Sequence, residues 1–222
     1  MPESPILILP GLDGTDLMLG QFRQLCAEKR KATVETLPDD ATMGYSELAD
    51  HFSPMIKDLS TCHIIAESFS GPIGILLARR YPEIVTRLTL VASFAATPVS
   101  RLGSILPWSM IFRFPMPSFV ARYFFVGNCK SLIPVLKTAI RHNAPAILRH
   151  RLRLVQNVDV LYELSELNCH LSYLRPTNDR LVPQRCVDRI LEVNPDAIVH
   201  TIAGPHLILE TQPENSWRQI AG

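Results

Sequence analysis

The sequence predicts an α/β domain with a mainly parallel sheet, because short apolar runs alternate with segments whose apolar residues recur at a helical period. Each run is four or five residues long and largely apolar, as expected of a strand buried on both faces. The chain has 222 residues, of which 47% are hydrophobic and 19% charged, enough for one well-packed domain. Its formal net charge of +1 gives no indication of a nucleic-acid partner.

The predicted elements follow one another in regular order. The six predicted strands cover residues 6–9, 33–37, 62–66, 88–92, 171–174 and 198–202. The predicted helices cover residues 18–26, 48–59, 71–81 and 187–193, followed by one last helix in the tail from residue 206. In each helix the apolar residues lie three or four positions apart and form one stripe, and Pro72 suits a first turn. We therefore expect a small sheet of about six strands.

Residues 98–165 interrupt this alternation, because prolines separate aromatic and aliphatic clusters and no clear strand is present. We predict a helical cap at 98–165, inserted into a core of residues 1–97 and 166–222. The cap has nine Lys and Arg residues against two acidic ones, a net charge of +7, whereas the rest of the chain carries −6. Its most apolar part, residues 104–126, contains three prolines and two arginines, which argues against a transmembrane segment.

The five cysteines are scattered along the chain, with no CxxC pair and no spacing typical of metal ligands. The first residues lack the basic start and the apolar length of a secretory signal. We therefore expect a cytoplasmic protein with reduced thiols and no bound metal.

The strongest local motif is Ala-Glu-Ser-Phe-Ser-Gly at residues 66–71, between a predicted strand and a predicted helix. A nucleophilic serine in such a sharp turn has a strained backbone and an exposed hydroxyl. The residues two before and two after it must be small, as Ala66 and Ser70 are. Considered alone, a serine at Ser68 would more often serve only as a helix cap.

Together with this motif, three further segments resemble the α/β-hydrolase superfamily in their order along the chain. Pro-Gly-Leu-Asp-Gly-Thr follows the first predicted strand, Asp179 follows a late strand, and His206 follows the final strand in Ala-Gly-Pro-His. The match departs from the family where glycines usually stand, at Ala66 and Ser70, and where His-Gly usually opens the loop that here begins Pro-Gly. The resemblance implies the α/β-hydrolase fold with a cap.

The resemblance also implies a role for each of these residues. Ser68 would be the nucleophile, His206 the base and Asp179 the acid, while the backbone N–H groups of Leu12 and Phe69 would form the oxyanion hole. The implied reaction is hydrolysis of carboxylic esters or thioesters through an acyl-enzyme, with no cofactor. Two alternatives stay open: an acyltransferase that uses the same residues, and a catalytically silent ligand-binding protein.

Some of these residues also have simpler interpretations. Asp179 could merely cap a turn, a common use of aspartate, and the nearest rival carboxylate is Asp13. In the cap, Trp108, Phe112 and Phe124 are predicted to contact substrate.

The cap as a whole has two interpretations. It is either a generic lid whose arginines face water or a surface for an acyl chain attached to an anionic group. Such a group would be a phosphopantetheine carrier, coenzyme A or a lipid headgroup, attracted by Arg149, Arg151 and Arg153.

Overall fold

A computed structural model describes residues 4–99 and 116–221 of the chain. Its six strands are β1 (Ile6–Leu9), β2 (Ala32–Val34), β3 (Cys62–Glu67), β4 (Val85–Val91), β5 (His170–Pro176) and β6 (Ile198–Ile202). They form one sheet in the order β2-β1-β3-β4-β5-β6, and every neighbouring pair is parallel. The predicted six-strand parallel sheet is therefore confirmed.

The helices connect these strands. Those before β4 are α1 (Gly20–Ala27), α2 (Tyr45–Lys57) and α3 (Gly71–Arg80). Between β4 and β5 lie α4 (Ser118–Ala121), α5 (Ile133–His142), α6 (Pro145–Asn157) and α7 (Leu161–Ser165), and after β5 come α8 (Gln184–Val193), α9 (Ile208–Thr211) and α10 (Pro213–Ala221). A π-helical turn (Arg122–Val126) continues α4, and 3₁₀ turns occupy Ser68–Ser70 and Lys130–Leu132.

The sheet is buried on both faces, which explains why its strands are so apolar. Alternate residues of β1 enter two different apolar clusters: Leu7 and Leu9 pack with α2, α3 and α8, and Ile6 and Ile8 pack with α1 and α10. All four side chains are at most 2% exposed. Helices on both faces leave the carboxyl ends of the strands free to carry loops that form a site.

The structure shifts several predicted boundaries. The predicted strand at 33–37 is β2, which ends at Val34 because Leu37 N donates to Gly14 O instead of continuing the ladder. The predicted single tail helix is two helices, and Pro213 begins the second of them, a position that suits proline. These changes alter lengths but not the order of elements.

An antiparallel contact closes the base of the predicted cap. Thr97 N donates to Val158 O at 2.9 Å and Val160 N donates to Ala95 O at 2.8 Å, beside an isolated bridge between Ala96 and Asp159. Helix α7 packs on α3 and α8 of the core. The division at 98–165 stays a proposal, and this packing favours a cap that ends before α7. None of the helices in the described ranges has the length and apolarity needed to cross a membrane.

A histidine lies fully buried within the sheet. His63 Nε2 is 2.8 Å from Thr89 Oγ1, which is itself 2.8 Å from Ser172 Oγ, so a polar chain crosses β3, β4 and β5. Among the described residues His63 Nδ1 has no hydrogen-bond partner. Burial and, to a smaller extent, nearby positive charges, Arg87 foremost, together lower the pKa of His63 to about 3. The folded protein therefore holds this ring neutral.

We predict that the burial of His63 lowers the free energy of unfolding at acidic pH. Its pKa is near 6.5 unfolded and about 3 folded, so the unfolded chain takes up the proton first and stability falls as pH drops below about 6.5. Within that window one such proton costs about 1.4 kcal/mol per pH unit. Urea unfolding of wild type, His63→Gln and the exposed control His51→Gln at pH 7 and pH 5 measures this. His63→Gln should lose the extra pH dependence, and equal slopes in all three proteins would contradict the assignment.

Candidate active site

The turn after β3 forces Ser68 into an unusual conformation. Ser68 has φ of +47°, and Ala92 at +46° is its only non-glycine counterpart among the described residues. A side chain in this region is strained by about 1–3 kcal/mol and persists only where surrounding structure holds it. The sharp turn projects the Ser68 hydroxyl beyond the end of the sheet, as the motif at 66–71 predicts.

Buried hydrogen bonds hold this turn in place. Ser93 Oγ, at the end of β4, donates to Ser68 O, and Ser70 Oγ donates to Pro10 O after β1. Tyr173 of β5 fixes Ser93 in turn, since its hydroxyl donates to Ser93 O at 2.8 Å and accepts from Ser93 N at 2.9 Å. Ser70 is completely buried, so its hydroxyl serves this packing and is not a nucleophile on the surface.

Three side chains from distant parts of the chain form one hydrogen-bonded series. The Ser68 hydroxyl donates to His206 Nε2 at 2.9 Å, and His206 Nδ1–H donates to Asp179 Oδ2 at 2.9 Å. The side chains of His206 and Asp179 are only 4% and 6% exposed. An imidazole held in this tautomer can accept the proton of the serine hydroxyl, and the carboxylate stabilises the charge that results.

The second oxygen of Asp179 is also fully used. Oδ1 accepts the backbone N–H groups of Leu181 at 2.8 Å and Val182 at 2.9 Å. Burial opposes the charge on Asp179, but His206 and these hydrogen bonds outweigh it and hold the pKa of Asp179 below its usual range. Asp179 therefore caps a turn with Oδ1 and holds the His206 ring with Oδ2. The capping interpretation and the predicted role as the acid are compatible, because each uses a different oxygen.

Solved structures share this architecture over nearly the whole chain. An esterase from Exiguobacterium antarcticum matches with a TM-score of 0.85 at 13% identity, covering 99% of this chain and 91% of its own. A thermophilic esterase from Thermogutta terrifontis matches with 0.82 at 18% identity, covering 99% and 89%. The enol-lactonase from Burkholderia xenovorans matches with 0.80 at 14% identity, covering 99% and 90%. The chain has the α/β-hydrolase fold. No protein-family model and no curated protein matches it.

In this α/β-hydrolase fold the loop after β1 lies directly against Ser68. Gly14 N donates to Gly11 O at 3.0 Å, which closes a tight turn with Leu12 and Asp13 at its centre. A Cβ atom on Gly11 would lie 3.8 Å from Ser68 Cβ, so the loop backbone closely approaches the serine. Leu12 is half-buried in this turn, and its N–H stays our prediction for one oxyanion donor.

The second predicted oxyanion donor is the backbone of Phe69. Its side chain is 1% exposed and stacks against Tyr45 at 5.0 Å between ring centroids, so the ring belongs to the core. Only the backbone of Phe69 can therefore serve the site. The sharp turn formed by residues 66–71 is called the elbow from here on. A short 3₁₀ turn over Ser68–Ser70 places the Phe69 N–H directly after the serine, the position that this motif requires.

Carboxyl groups lie buried behind the serine. Glu67 and Glu210 are 2% and 8% exposed, and their carboxyl groups lie close to each other. Burial raises the pKa of Glu67 well above its usual range, and Glu210 and Asp13 raise it further. A Cβ atom on Gly11 would lie 3.6 Å from Glu67 Oε2, so the loop after β1 packs against this carboxyl group. Glu67 therefore lies against the loop after β1, whereas the carboxylate of Asp179 is hydrogen-bonded to the His206 ring.

Part of the predicted cap packs on the loop after β6 that carries His206, called the histidine loop. The contact is made by Phe125 and not by Phe124, the predicted residue. The Phe125 ring meets the His206 ring edge-on at 6.3 Å, and Leu207 N donates to Phe125 O at 3.1 Å. Phe124 instead packs on Tyr123 at 4.9 Å, so its contact with substrate stays a prediction. The other predicted substrate contacts, Trp108 and Phe112, lie outside the described residues.

The expectation that the cap arginines face water is wrong for Arg151. This side chain is 3% exposed and donates to the backbone of the loop after β1. A signal for this was present in the sequence, because Arg151 lies at a helical spacing from apolar neighbours of α6. Those neighbours are Ile147, Leu148, Leu154 and Val155. Arg149 and Arg153 lie off that stripe, and Arg153 is exposed.

We predict that Gly71→Ala strongly destabilises the elbow. A Cβ atom there would overlap Ser93 Oγ and lie 2.9 Å from Ser93 Cβ and 3.3 Å from the Phe94 carbonyl oxygen, so the backbone after β4 or the first turn of α3 would have to move. The expected loss is about 3 kcal/mol or more, as for other overpacked core positions. Chemical denaturation measures it. Gly20→Ala is the matched control, because a Cβ on Gly20 meets nothing within 4 Å, and losses of equal size would contradict the packing account.

Proposed function

We propose that the protein hydrolyses carboxylic esters or thioesters of small-molecule substrates through an acyl-enzyme on Ser68. The observation that carries the proposal is the hydrogen-bonded series from Ser68 through His206 to Asp179. A serine hydroxyl is a poor nucleophile until a neighbouring base takes its proton, and this geometry supplies such a base. An oriented imidazole, a buried carboxylate and a serine hydroxyl hydrogen-bonded to the imidazole are the groups that acyl transfer requires.

The proposed reaction has two halves. Ser68 Oγ attacks the carbonyl carbon as His206 Nε2 takes the hydroxyl proton, and the oxygen that becomes negative accepts the N–H groups of Leu12 and Phe69. The intermediate then collapses: the bond to the leaving alcohol or thiol breaks, and His206 donates its proton to that group. Water repeats the sequence on the acyl-enzyme, releasing the acid and restoring Ser68. Asp179 stabilises the imidazolium throughout and stays ionised.

The structural neighbours favour the same class of chemistry. Solved structures with similar folds include two esterases and an enol-lactonase, and also a deformylase and a further hydrolase. An ester and an enol lactone are both carboxylic esters, and both are cleaved at an acyl carbon. At identities of 13–18% the likeness is one of fold, so the geometry of Ser68, His206 and Asp179 carries the proposal for this chain.

We propose a cytoplasmic location on the basis of the cysteines. All five are free thiols, and Cys26, Cys62 and Cys186 are buried. Free, buried thiols are typical of proteins from a reducing compartment.

We predict that an alkyl fluorophosphonate labels Ser68 and nothing else. Intact mass and peptide mapping should show one adduct per chain in wild type, none in Ser68→Ala, and one in Ser70→Ala, whose hydroxyl is buried. Hydrolysis of p-nitrophenyl acetate or butyrate should fall in Ser68→Ala to near the uncatalysed rate, because no nucleophile remains. Undiminished labelling or hydrolysis in Ser68→Ala would refute the assignment and favour a different nucleophile, whereas a wild type that neither takes the label nor hydrolyses the ester would favour a silent binding protein.

A narrower form of the proposal concerns an anionic group on the substrate. Arg151 cannot supply charge to it, because its guanidinium is buried against the loop after β1. Arg149 and Arg153 stand one turn apart on α6, and Arg153 is exposed. We therefore propose that Arg149 and Arg153 attract an anionic acyl donor to the cap.

The double variant Arg149→Glu/Arg153→Glu tests this form. We expect kcat/KM to fall about tenfold for acyl-coenzyme A at low ionic strength, with a smaller effect at high salt, and to stay within about twofold for a neutral p-nitrophenyl ester. Steady-state kinetics on both substrates measures the difference. Equal losses on the anionic and the neutral substrate, or no loss on either, would sink the idea that these arginines recognise an anionic group.

A further inference from the structure

A buried guanidinium from α6 makes hydrogen bonds to three backbone carbonyls outside its own helix. Arg151 Nη1 donates to Leu12 O at 3.0 Å and to Asp13 O at 2.9 Å, and Nη2 donates to Pro38 O at 3.1 Å. The Arg151 side chain is 3% exposed, so these contacts are shielded from water. Leu12 is the residue whose N–H the proposed function assigns to the oxyanion hole.

Asn143 completes the clamp from the end of α5. Its Nδ2 donates to Asp13 O at 2.6 Å, and its Oδ1 accepts Arg151 Nη1 at 3.1 Å. Asn143 is 5% exposed and also donates to Ala139 O at 3.3 Å. Two side chains from separate helices of the predicted cap thus converge on one short stretch of loop backbone.

The peptide planes on both sides of Leu12 are fixed, one by a backbone hydrogen bond and the other by Arg151. The plane before it carries the Leu12 N–H and Gly11 O, and Gly11 O accepts Gly14 N across the turn. The plane after it carries Leu12 O, which accepts Arg151. Redirecting the Leu12 N–H would require rotation of at least one plane and the loss of a hydrogen bond. A Cβ on Gly14 would overlap the guanidinium, so loop and side chain fit closely together.

Stability alone gives a weak reason to bury a guanidinium here. Removing the charge from water costs several kcal/mol, and an apolar side chain of similar volume is often as stabilising or more so. The nearest acidic partner is Asp39, at 3.7 Å with a side chain that is 58% exposed, which returns little of that cost. What a guanidinium supplies, and an apolar side chain cannot, is several directed hydrogen bonds from one rigid plane.

We propose that Arg151 is a positioning residue for catalysis: it holds the loop after β1 so that the Leu12 N–H faces the oxyanion that forms on a Ser68-bound substrate. This role rests on the proposed function. Oxyanion donors act mainly on the charge that develops in the transition state. A loosened loop should therefore lower kcat far more than it raises KM.

The test measures kcat and KM of the full-length protein with a neutral p-nitrophenyl ester, per site labelled by fluorophosphonate. Arg151→Met should lower kcat about 10- to 100-fold with KM changed less than about threefold, since removing an oxyanion donor outright costs about 10²–10³. Arg151→Lys keeps a charged donor and should recover part of kcat. Asn143→Ala removes one contact to Asp13 O, so a smaller loss of kcat, about threefold or more, is expected even if Arg151→Met does not fold.

Arg141→Met is the control, because Arg141 is an exposed arginine of the same predicted cap. It should behave as wild type. The positioning role is overturned if wild type hydrolyses the ester while Arg151→Met and Asn143→Ala keep wild-type kcat per labelled site, even when both melt at lower temperature. It is also overturned if KM rises and kcat is unchanged. A wild type that neither hydrolyses esters nor takes the label would overturn the proposed function itself, and this role with it.

Discussion

The left-handed backbone at Ser68 is the constraint on which the site depends. A residue with φ of +47° is strained, and here the ends of three strands restrain it. Ser93 at the end of β4 holds the Ser68 carbonyl, Ser70 holds the end of β1, and Tyr173 of β5 holds Ser93. The small residues in this region are explained by how closely these strand ends approach the first turn of α3.

The parallel sheet turns this local strain into a site. The carboxyl ends of parallel strands meet at one edge of the sheet, so four connections lie together there. They are the loop after β1, the elbow after β3, the loop after β5 that carries Asp179 (the acid loop) and the histidine loop after β6. Backbone bonds join the last two loops, because Asn178 N donates to Gly204 O and Thr177 N to Ile202 O, both at 2.9 Å. The separation of Asp179 from His206 is therefore fixed by the sheet and does not depend on the side chains alone.

The helices between β4 and β5 restrain the site by packing on the loops that form it. Phe125 contacts the histidine ring, Arg151 and Asn143 hold the loop after β1, and Arg180 of the acid loop stacks on Tyr123 with its guanidinium carbon 3.9 Å from the ring centroid. Each of the three loops thus has its own contact with this segment. The described part of the segment therefore restrains the loops that carry the site residues.

The sequence predicted the parts of this arrangement that follow from local chemistry. Strands buried on both faces are recognisable as apolar runs, and Ser68, Asp179 and His206 stand in turns that directly follow such runs. The partners of buried polar groups were not predictable, because they depend on which helix face meets which loop. Arg151 lies on an apolar stripe, which was a signal, but nothing local identifies the carbonyls of Leu12 and Asp13 as its acceptors. Phe124 and Phe125 are neighbours in the π-helical turn, where one step along the chain moves a side chain to a different face.

The most direct test of the account is a crystal structure of the protein after reaction with an alkyl phosphonate ester. We expect phosphorus bonded to Ser68 Oγ, with the phosphonyl oxygen about 2.7–3.1 Å from both Leu12 N and Phe69 N and with His206 still hydrogen-bonded to Asp179. A phosphonyl oxygen more than about 3.5 Å from both nitrogens, or phosphorus attached to any other residue, would contradict it.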